Sequence, residues 1–344
     1  MANTRVLIAD DSALSRSLLR DYLEQDPEIE IIAEANNGQE AVTMAANLLP
    51  DVITMDLQMP IMDGIAAITE IMSSKAIPIL VVSSVADAKM AYDALLCGAL
   101  DVINKPDYNS NEAKTLASKV KMLAGVSVFT RSKPRNSSIQ IEAAQVLLPT
   151  RAHADGFDRI FAIACSTGGP QALAQLLPKL LKDFPCPIVI AQHIAEGFAQ
   201  GMVDWLDKIC PLDIRLAQEG SQLRAGIVYI APSEQNLLIS ATKRLMLSAR
   251  ETNEVYHPSC NKLLTSAAEV FNQRVVGIIL TGMGKDGAQG IADIRAQGGI
   301  TLAQDEASSV IYGMNRVAIE SGSVTQVLAL SDIATRMIAL AEKP

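Results

Sequence analysis

Three short stretches in the second half of the chain hold the residue types of a hydrolytic site: Ala164-Cys165-Ser166-Thr167-Gly168-Gly169, Gln192-His193, and Thr281-Gly282-Met283-Gly284-Lys285-Asp286-Gly287. A serine, a histidine and an aspartate each stand where an apolar run ends. Ser166 follows the run Phe161–Cys165 and precedes a loop that enters a helix. A nucleophile at a strand-to-helix turn is exposed, and the helix N-terminus offers N–H groups to a developing anion. A serine is a weak nucleophile at neutral pH and needs an adjacent base. Of the three histidines, His153 sits in or beside a polar stretch and His257 precedes Pro258 in a segment with no clear element. His193 lies just past the apolar run Ile188–Ala191, which makes it the best base. Asp286, in a glycine-rich loop, is the candidate to orient the imidazole and stabilise its charged form. Each piece alone also fits a plainer role: a helix cap, a structural histidine, a turn residue.

The first third carries a different chemistry. Asp10 and Asp11 end one apolar run, Asp56 another and Ser83 a third, while Lys105 follows a fourth, with Pro106 after it. Clustered carboxylates need a divalent cation to coexist, and hard oxygen donors suit Mg²⁺. Metal ligation is therefore assigned to Asp10, Asp11 and Asp56. A carboxylate beside such a cation can act as the nucleophile that forms an acyl phosphate. Lys105 supplies a positive charge to phosphoryl oxygens and Ser83 a hydroxyl.

These residues need elements that bring them to one edge. Short β-rich runs at Arg5–Ala9, Ile29–Ala33, Val52–Met55, Ile79–Val82 and Val102–Ile103 alternate with helical patterns, the first through Leu14, Leu18, Leu19 and Leu23. Such alternation predicts a parallel sheet covered by helices, with ligands beyond the carboxyl ends of the strands. Arg131–Ser138 is polar, basic and proline-bearing and reads as an exposed linker, and Ile139–Leu148 as a candidate short helix. The alternation resumes at Ile160–Ala164 and continues through Ile188–Ala191, Ile227–Ile230, Leu237–Ser240, Val275–Leu280 and Ile300–Ala303. The expected organisation is an α/β domain over residues 1–122, a linker over 123–156, and a second doubly wound, mostly parallel α/β domain over 157–344.

Bulk properties narrow the function. The chain has 344 residues, 49% hydrophobic, with a net charge of -9. A nucleic-acid partner is disfavoured, because non-specific binding needs a basic surface. No secretory signal is visible in MANTRVLIADD and no apolar run approaches a bilayer span, so a cytoplasmic, non-membrane protein is expected. Five scattered cysteines suit reduced thiols, Cys165 among them as core packing. Met55, Met59, Met62 and Met283 read as core and loop packing. Lys182, Arg215 and Arg224 are cations that an acidic partner could meet, if they cluster.

The first 120 or so residues resemble the receiver domain of bacterial response regulators, through ADDS, MDLQMPIMDG around Asp56, VVSS and GALDVINKP. That resemblance implies a flavodoxin-like fold, with Asp56 phosphorylated by a histidine kinase in the presence of Mg²⁺. Val102 departs from it, in a slot where receivers usually carry an aromatic switch residue. From about Phe157 the chain resembles the catalytic domain of the chemotaxis protein-glutamate methylesterases, through CSTGGP, AQH, VYIAP, HPSCN, TGMGKDG and AQDEASS. The resemblance implies Ser166 as nucleophile, His193 as general base, Asp286 as orienting acid, and backbone N–H groups near Thr167 and Met283 as oxyanion donors. It also implies a monomeric enzyme whose partners are a chemotaxis histidine kinase and methyl-accepting chemoreceptors. Glutamine deamidation at the same site is implied too, as is an unphosphorylated receiver that covers Ser166.

Departures from the family pattern fall at Ala164-Cys165, at Ser233-Glu234-Gln235-Asn236 and at Asn315, all placed as candidates to line the substrate groove. Two other classes stand beside the hydrolase. One is a non-catalytic phospho-regulated adaptor with a relict triad, which an intact triad argues against. The other is a DNA-binding regulator, which the acidic balance and the lack of a helix-turn-helix pattern argue against.

Overall fold

A computed structural model describes residues 3–84, 88–106, 112–128, 157–251, 254 and 256–342. The polar stretch 131–138, the segment 139–148 and His153 lie outside these residues. The chain divides into two compact units, residues 1–140 and 141–344.

The first unit alternates β1 (Thr4–Ala9), α1 (Ala13–Leu23), β2 (Ile29–Ala35), α2 (Gly38–Leu48), β3 (Val52–Met55), α3 (Gly64–Ser74), β4 (Ile79–Ser83), α4 (Ala88–Cys97), β5 (Asp101–Asn104) and α5 (Glu112–Ala124). The five strands form one parallel sheet in the order β2-β1-β3-β4-β5. This is the flavodoxin-like order, whose direction reverses between β1 and β3. The strands β3 and β4 are buried at every residue, as expected of a parallel sheet covered on both faces. Helices start where side chains satisfy their free N–H groups: Ser12, Asn37 and Asp63 cap α1, α2 and α3. On α1, Leu18, Leu19 and Leu23 pack inward, but Leu14 is 61% exposed and does not belong to the apolar face. It sits in the first turn, on the rim beside the strand ends.

The second unit runs β6 (Ile160–Cys165), α6 (Gly169–Leu176), β7 (Ile188–Gln192), α7 (Ala199–Ile209), β8 (Asp213–Leu216), β9 (Ile227–Ile230), β10 (Gln235–Ile239), β11 (Leu245–Ala249), α8 (Cys260–Phe271), β12 (Val275–Ile279), α9 (Ala288–Ala296), β13 (Ile300–Gln304), α10 (Met314–Glu320), β14 (Gln326–Leu328) and α11 (Leu330–Ala341). Seven strands pair in parallel in the order β14-β13-β12-β6-β7-β9-β8. Strands β10 and β11 form a separate antiparallel ribbon. The sheet is doubly wound, as its sequence pattern predicts. β8, β11 and β14 were not legible as strands. β8 and β14 are short edge strands with mixed burial, and β11 is largely solvated. Central strands β6, β7 and β12 are buried throughout, and their apolar runs are the ones that show in the sequence. Their ends flank the point where strand order reverses, between β6 and β12.

Candidate active site

In the first unit the strand ends converge as the parallel register requires. The Asp56 N–H donates to the Ala9 carbonyl, and the Lys105 N–H to the Ser83 carbonyl. Asp10 and Asp56 are buried, Asp11 is exposed, and their carboxylate oxygens come within 4.8 Å of one another. Lys105 Nζ lies 2.8 Å from both Asp10 Oδ2 and Asp56 Oδ2. Burial pushes the Asp56 carboxyl up. The Lys105 bond opposes that shift and the Asp10 charge adds to it, so the net displacement is upward. The Ser83 hydroxyl is fully buried and has no hydrogen-bond partner. An orphaned hydroxyl is costly unless a further group arrives, and a phosphoryl oxygen on Asp56 is such a group. The three carboxylates of Asp10, Asp11 and Asp56, two of them buried, also form an all-oxygen donor set that fits Mg²⁺.

In the second unit Cys165 and Gln192 are register partners on neighbouring parallel strands. Ser166 and His193 are the next residue on each, and the His193 N–H donates to the Cys165 carbonyl at 3.0 Å. Adjacent strands lie about 4.8 Å apart, so the serine and histidine stand side by side. Gln192 Nε2 fastens both turns, donating to the Ser166 carbonyl at 2.9 Å and the His193 carbonyl at 2.7 Å. Gly168 opens α6 at φ 78°, where a Cβ would strike Val310 at 2.6 Å. Only glycine lets the chain turn from the serine into the helix there. Ser166 is 7% exposed, more enclosed than a bare strand-to-helix turn predicts.

Asp286 comes from the loop after β12. Its Oδ2 is 2.8 Å from His193 Nε2. The carboxylate also accepts from the Cys260 N–H at 2.7 Å and the Asn261 N–H at 2.9 Å, the first two residues of α8. A buried carboxylate is thus seated on a helix N-terminus, where free N–H groups and the dipole favour negative charge. Burial raises its pKa, but the His193 contact and these N–H groups outweigh burial and hold the carboxyl below its usual range. His193 Nε2, Cys260 Sγ and Asp286 lie close enough to suggest metal ligands. The direct 2.8 Å histidine–aspartate contact fills the space between them with a hydrogen bond instead.

The loop carrying Met283 is tied to the serine turn. The Ser166 N–H donates to the Thr281 carbonyl, and Thr281 Oγ1 donates to the Thr167 carbonyl at 3.0 Å and accepts from the Ile311 N–H at 2.9 Å. Buried Gln304 accepts the Thr281 N–H at 2.9 Å. Met283 is 39% exposed, so it is a rim residue rather than a packed one.

Sequence reasoning missed the support around the triad. Tyr256 stacks on His193 with centroids 5.1 Å apart and planes 12° from parallel. Asn236 Oδ1 accepts the Ser259 N–H at 2.7 Å, and Ser259 caps α8 through the Lys262 N–H. Pro258-Ser259 ahead of the spaced apolar residues Cys260, Leu263 and Leu264 is a legible helix start. It places α8 but not its N-terminus against Asp286. His257, beside this helix start, has its pKa pushed down by burial first and then by the Arg250 and His193 charges. Of the family departures, Ala164, Cys165, Ser233, Asn236 and Asn315 are buried, and Glu234 and Gln235 are exposed. Lys182 and Arg224 share an open cleft of about 830 Å³ beside β8, and Arg215 and Arg224 a neighbouring one of about 590 Å³. Neither cleft is lined by a triad residue.

Likeness to known proteins decides the lineage. The family model for the CheB methylesterases matches residues 161–337, just over half of the chain. The chain belongs to the CheB methylesterase family. The model for response regulator receiver domains matches residues 6–116. The chain is 47% identical to a protein-glutamate methylesterase/protein-glutamine glutaminase of Paramagnetospirillum magneticum, over 97% of this chain and 95% of that one. It is 41% identical to one from Myxococcus xanthus, over 96% and 91%. The crystal structure of the Thermotoga maritima CheB methylesterase catalytic domain aligns with a TM-score of 0.52 and 34% identity, covering 53% of this chain and 98% of that domain. The CheB methylesterase match spans Ser166, His193 and Asp286, and the receiver match spans Asp10, Asp11, Asp56, Ser83 and Lys105. Among the described residues no helix is long and apolar enough to cross a membrane.

Proposed function

We propose that the chain is a phosphorylation-regulated serine hydrolase that removes methyl esters from glutamate side chains of chemoreceptors and deamidates receptor glutamines. The carrying observation is the Asp286 carboxylate, held on the N-terminus of α8 and bonded to His193 one residue beyond the strand pair that carries Ser166. An ionised carboxylate only accepts, so Nε2 carries the ring proton and Nδ1 keeps its lone pair. Ser166 Oγ attacks the ester carbonyl as its proton passes to His193 Nδ1. The Thr167 and Met283 N–H groups receive the oxyanion. The imidazolium returns the proton to the leaving oxygen and methanol departs, or ammonia from a glutamine. Water, deprotonated by the same imidazole, then cleaves the acyl-serine and leaves glutamate.

Regulation rests on Asp56, whose carboxylate takes the phosphoryl group from a histidine kinase. Asp10, Asp11 and Asp56 would hold Mg²⁺, which neutralises phosphoryl charge when bound. Lys105 and the unpartnered Ser83 hydroxyl stand ready for phosphoryl oxygens. On this reading the enzyme is cytoplasmic and acts as a monomer on receptor helices. The deciding experiment is methanol release from methylated receptor, with and without a small phosphodonor, for the parent and Ser166→Ala. Release by the parent that Ser166→Ala abolishes supports the reading, and equal release by both sinks it. Deleting residues 1–140 tests gating by a covering receiver: basal release rises and the phosphodonor no longer matters.

A further inference from the structure

We propose that Tyr256 is a positioning residue for the reaction: it fixes the plane of the His193 imidazole and supports the positive charge the ring acquires when it takes the Ser166 proton. The inference rests on the reading of Ser166, His193 and Asp286 as a hydrolytic triad.

His193 is held at its edge by Asp286 Oδ2, 2.8 Å from Nε2, with Cys260 Sγ 3.4 Å from the same nitrogen. These contacts fix where Nε2 points. They leave the ring free to swing about the Nε2···Oδ2 direction, and such a swing carries Nδ1 away from the serine. Tyr256 removes that freedom by lying flat on the imidazole, centroids 5.1 Å apart and planes within 12°. Stacked neutral rings gain little from their facing electron clouds, whereas a cation over an aromatic face is attracted to it. The contact therefore strengthens as the imidazole becomes imidazolium, and an interaction stronger in the transition state than in the ground state is one that accelerates a reaction. The other groups acting on this imidazole, Asp286, Cys260 and His257, do so through a carboxylate, a thiol and a charge.

Tyr256 is itself seated by the loop that carries Met283. A Cβ on Gly284, at φ 92°, would come within 2.4 Å of the Tyr256 hydroxyl oxygen. The absence of a side chain at Gly284 thus lets the tyrosine lie down, and one ring spans the base and the loop of the oxyanion donor.

The test uses full-length protein activated by a phosphodonor and reads methanol release from methylated receptor. Tyr256→Phe keeps the face and loses the hydroxyl. Tyr256→Leu keeps bulk and loses the face, with Tyr256→Met as the second faceless variant should leucine not fold. The expected result is Phe within about twofold of the parent, and Leu or Met down about tenfold in kcat with KM unchanged and unaltered melting. A faceless variant as fast as Phe overturns the proposal, as does a loss confined to KM. Phe falling as far as Leu also overturns it, because the hydroxyl would then be the active part. A parent that releases no methanol sinks the triad reading and this inference with it. An active parent, a silent Ser166→Ala and an undiminished Tyr256→Leu sink this inference alone.

Discussion

His193 presents Nε2, not Nδ1, to Asp286, at 2.8 Å. The aspartate also accepts from the α8 N–H groups of Cys260 and Asn261 and from the Gly287 N–H, so it is held in place without the histidine. The carboxylate therefore sets the tautomer, and the nitrogen left for a hydroxyl is Nδ1.

Asp286→Asn is expected to lower kcat by about a hundredfold or more, because an amide can present N–H to Nε2 and favour the wrong tautomer. Ser166→Ala and His193→Ala should each lose more, and the double variant should be scarcely worse than either, since such residues act as a unit. Single-turnover methanol release measures all four. A double variant far below both singles would show that the two residues act independently.

Asp56→Asn is expected to stabilise the receiver unit at neutral pH. Burial and Asp10 raise the Asp56 pKa above its unfolded value despite Lys105, so the ionised form opposes folding. That opposition is absent at pH low enough to protonate Asp56 in both states, and it appears as pH rises through the folded pKa. The gain over the parent should shrink on acidification. Mg²⁺ should stabilise the parent more than the variant, by preferential binding to the folded state. Denaturant titrations at several pH values, with and without Mg²⁺, measure both effects.

Ile61 is 84% exposed with φ 68°, a conformation that a β-branched residue adopts only under strain. Ile61→Gly or Ile61→Asn should raise receiver stability by about 1 kcal/mol, read as a higher denaturation midpoint. No gain would mean that neighbouring contacts offset the strain.

Cys165 adjoins Ser166, but burial pushes its thiol far up, and Cys260 likewise. Neither should react with iodoacetamide in the folded protein at neutral pH, and Cys165→Ala should retain most of the activity. Peptide mapping after alkylation measures the first. Loss of activity in Cys165→Ala with survival in Ser166→Ala would move the nucleophile.

The sequence by itself determined the two α/β units, the strands that carry both sites and the residues at their carboxyl ends. Buried parallel strands read as unbroken apolar runs, and the residue just past such a run must lie at the sheet edge. β6, β7 and β12 were therefore legible, along with Ser166, His193 and the glycine-rich loop of Asp286. Only the tertiary structure decided how these ends are joined. The seat of Asp286 on α8, the stacking of Tyr256 on His193, the Gln192 clamp and the bond of Asn236 to Ser259 all join segments far apart in the chain. Such contacts leave no periodic trace in the sequence. The same reason hid β8 and β14, edge strands whose mixed burial leaves no apolar run to read.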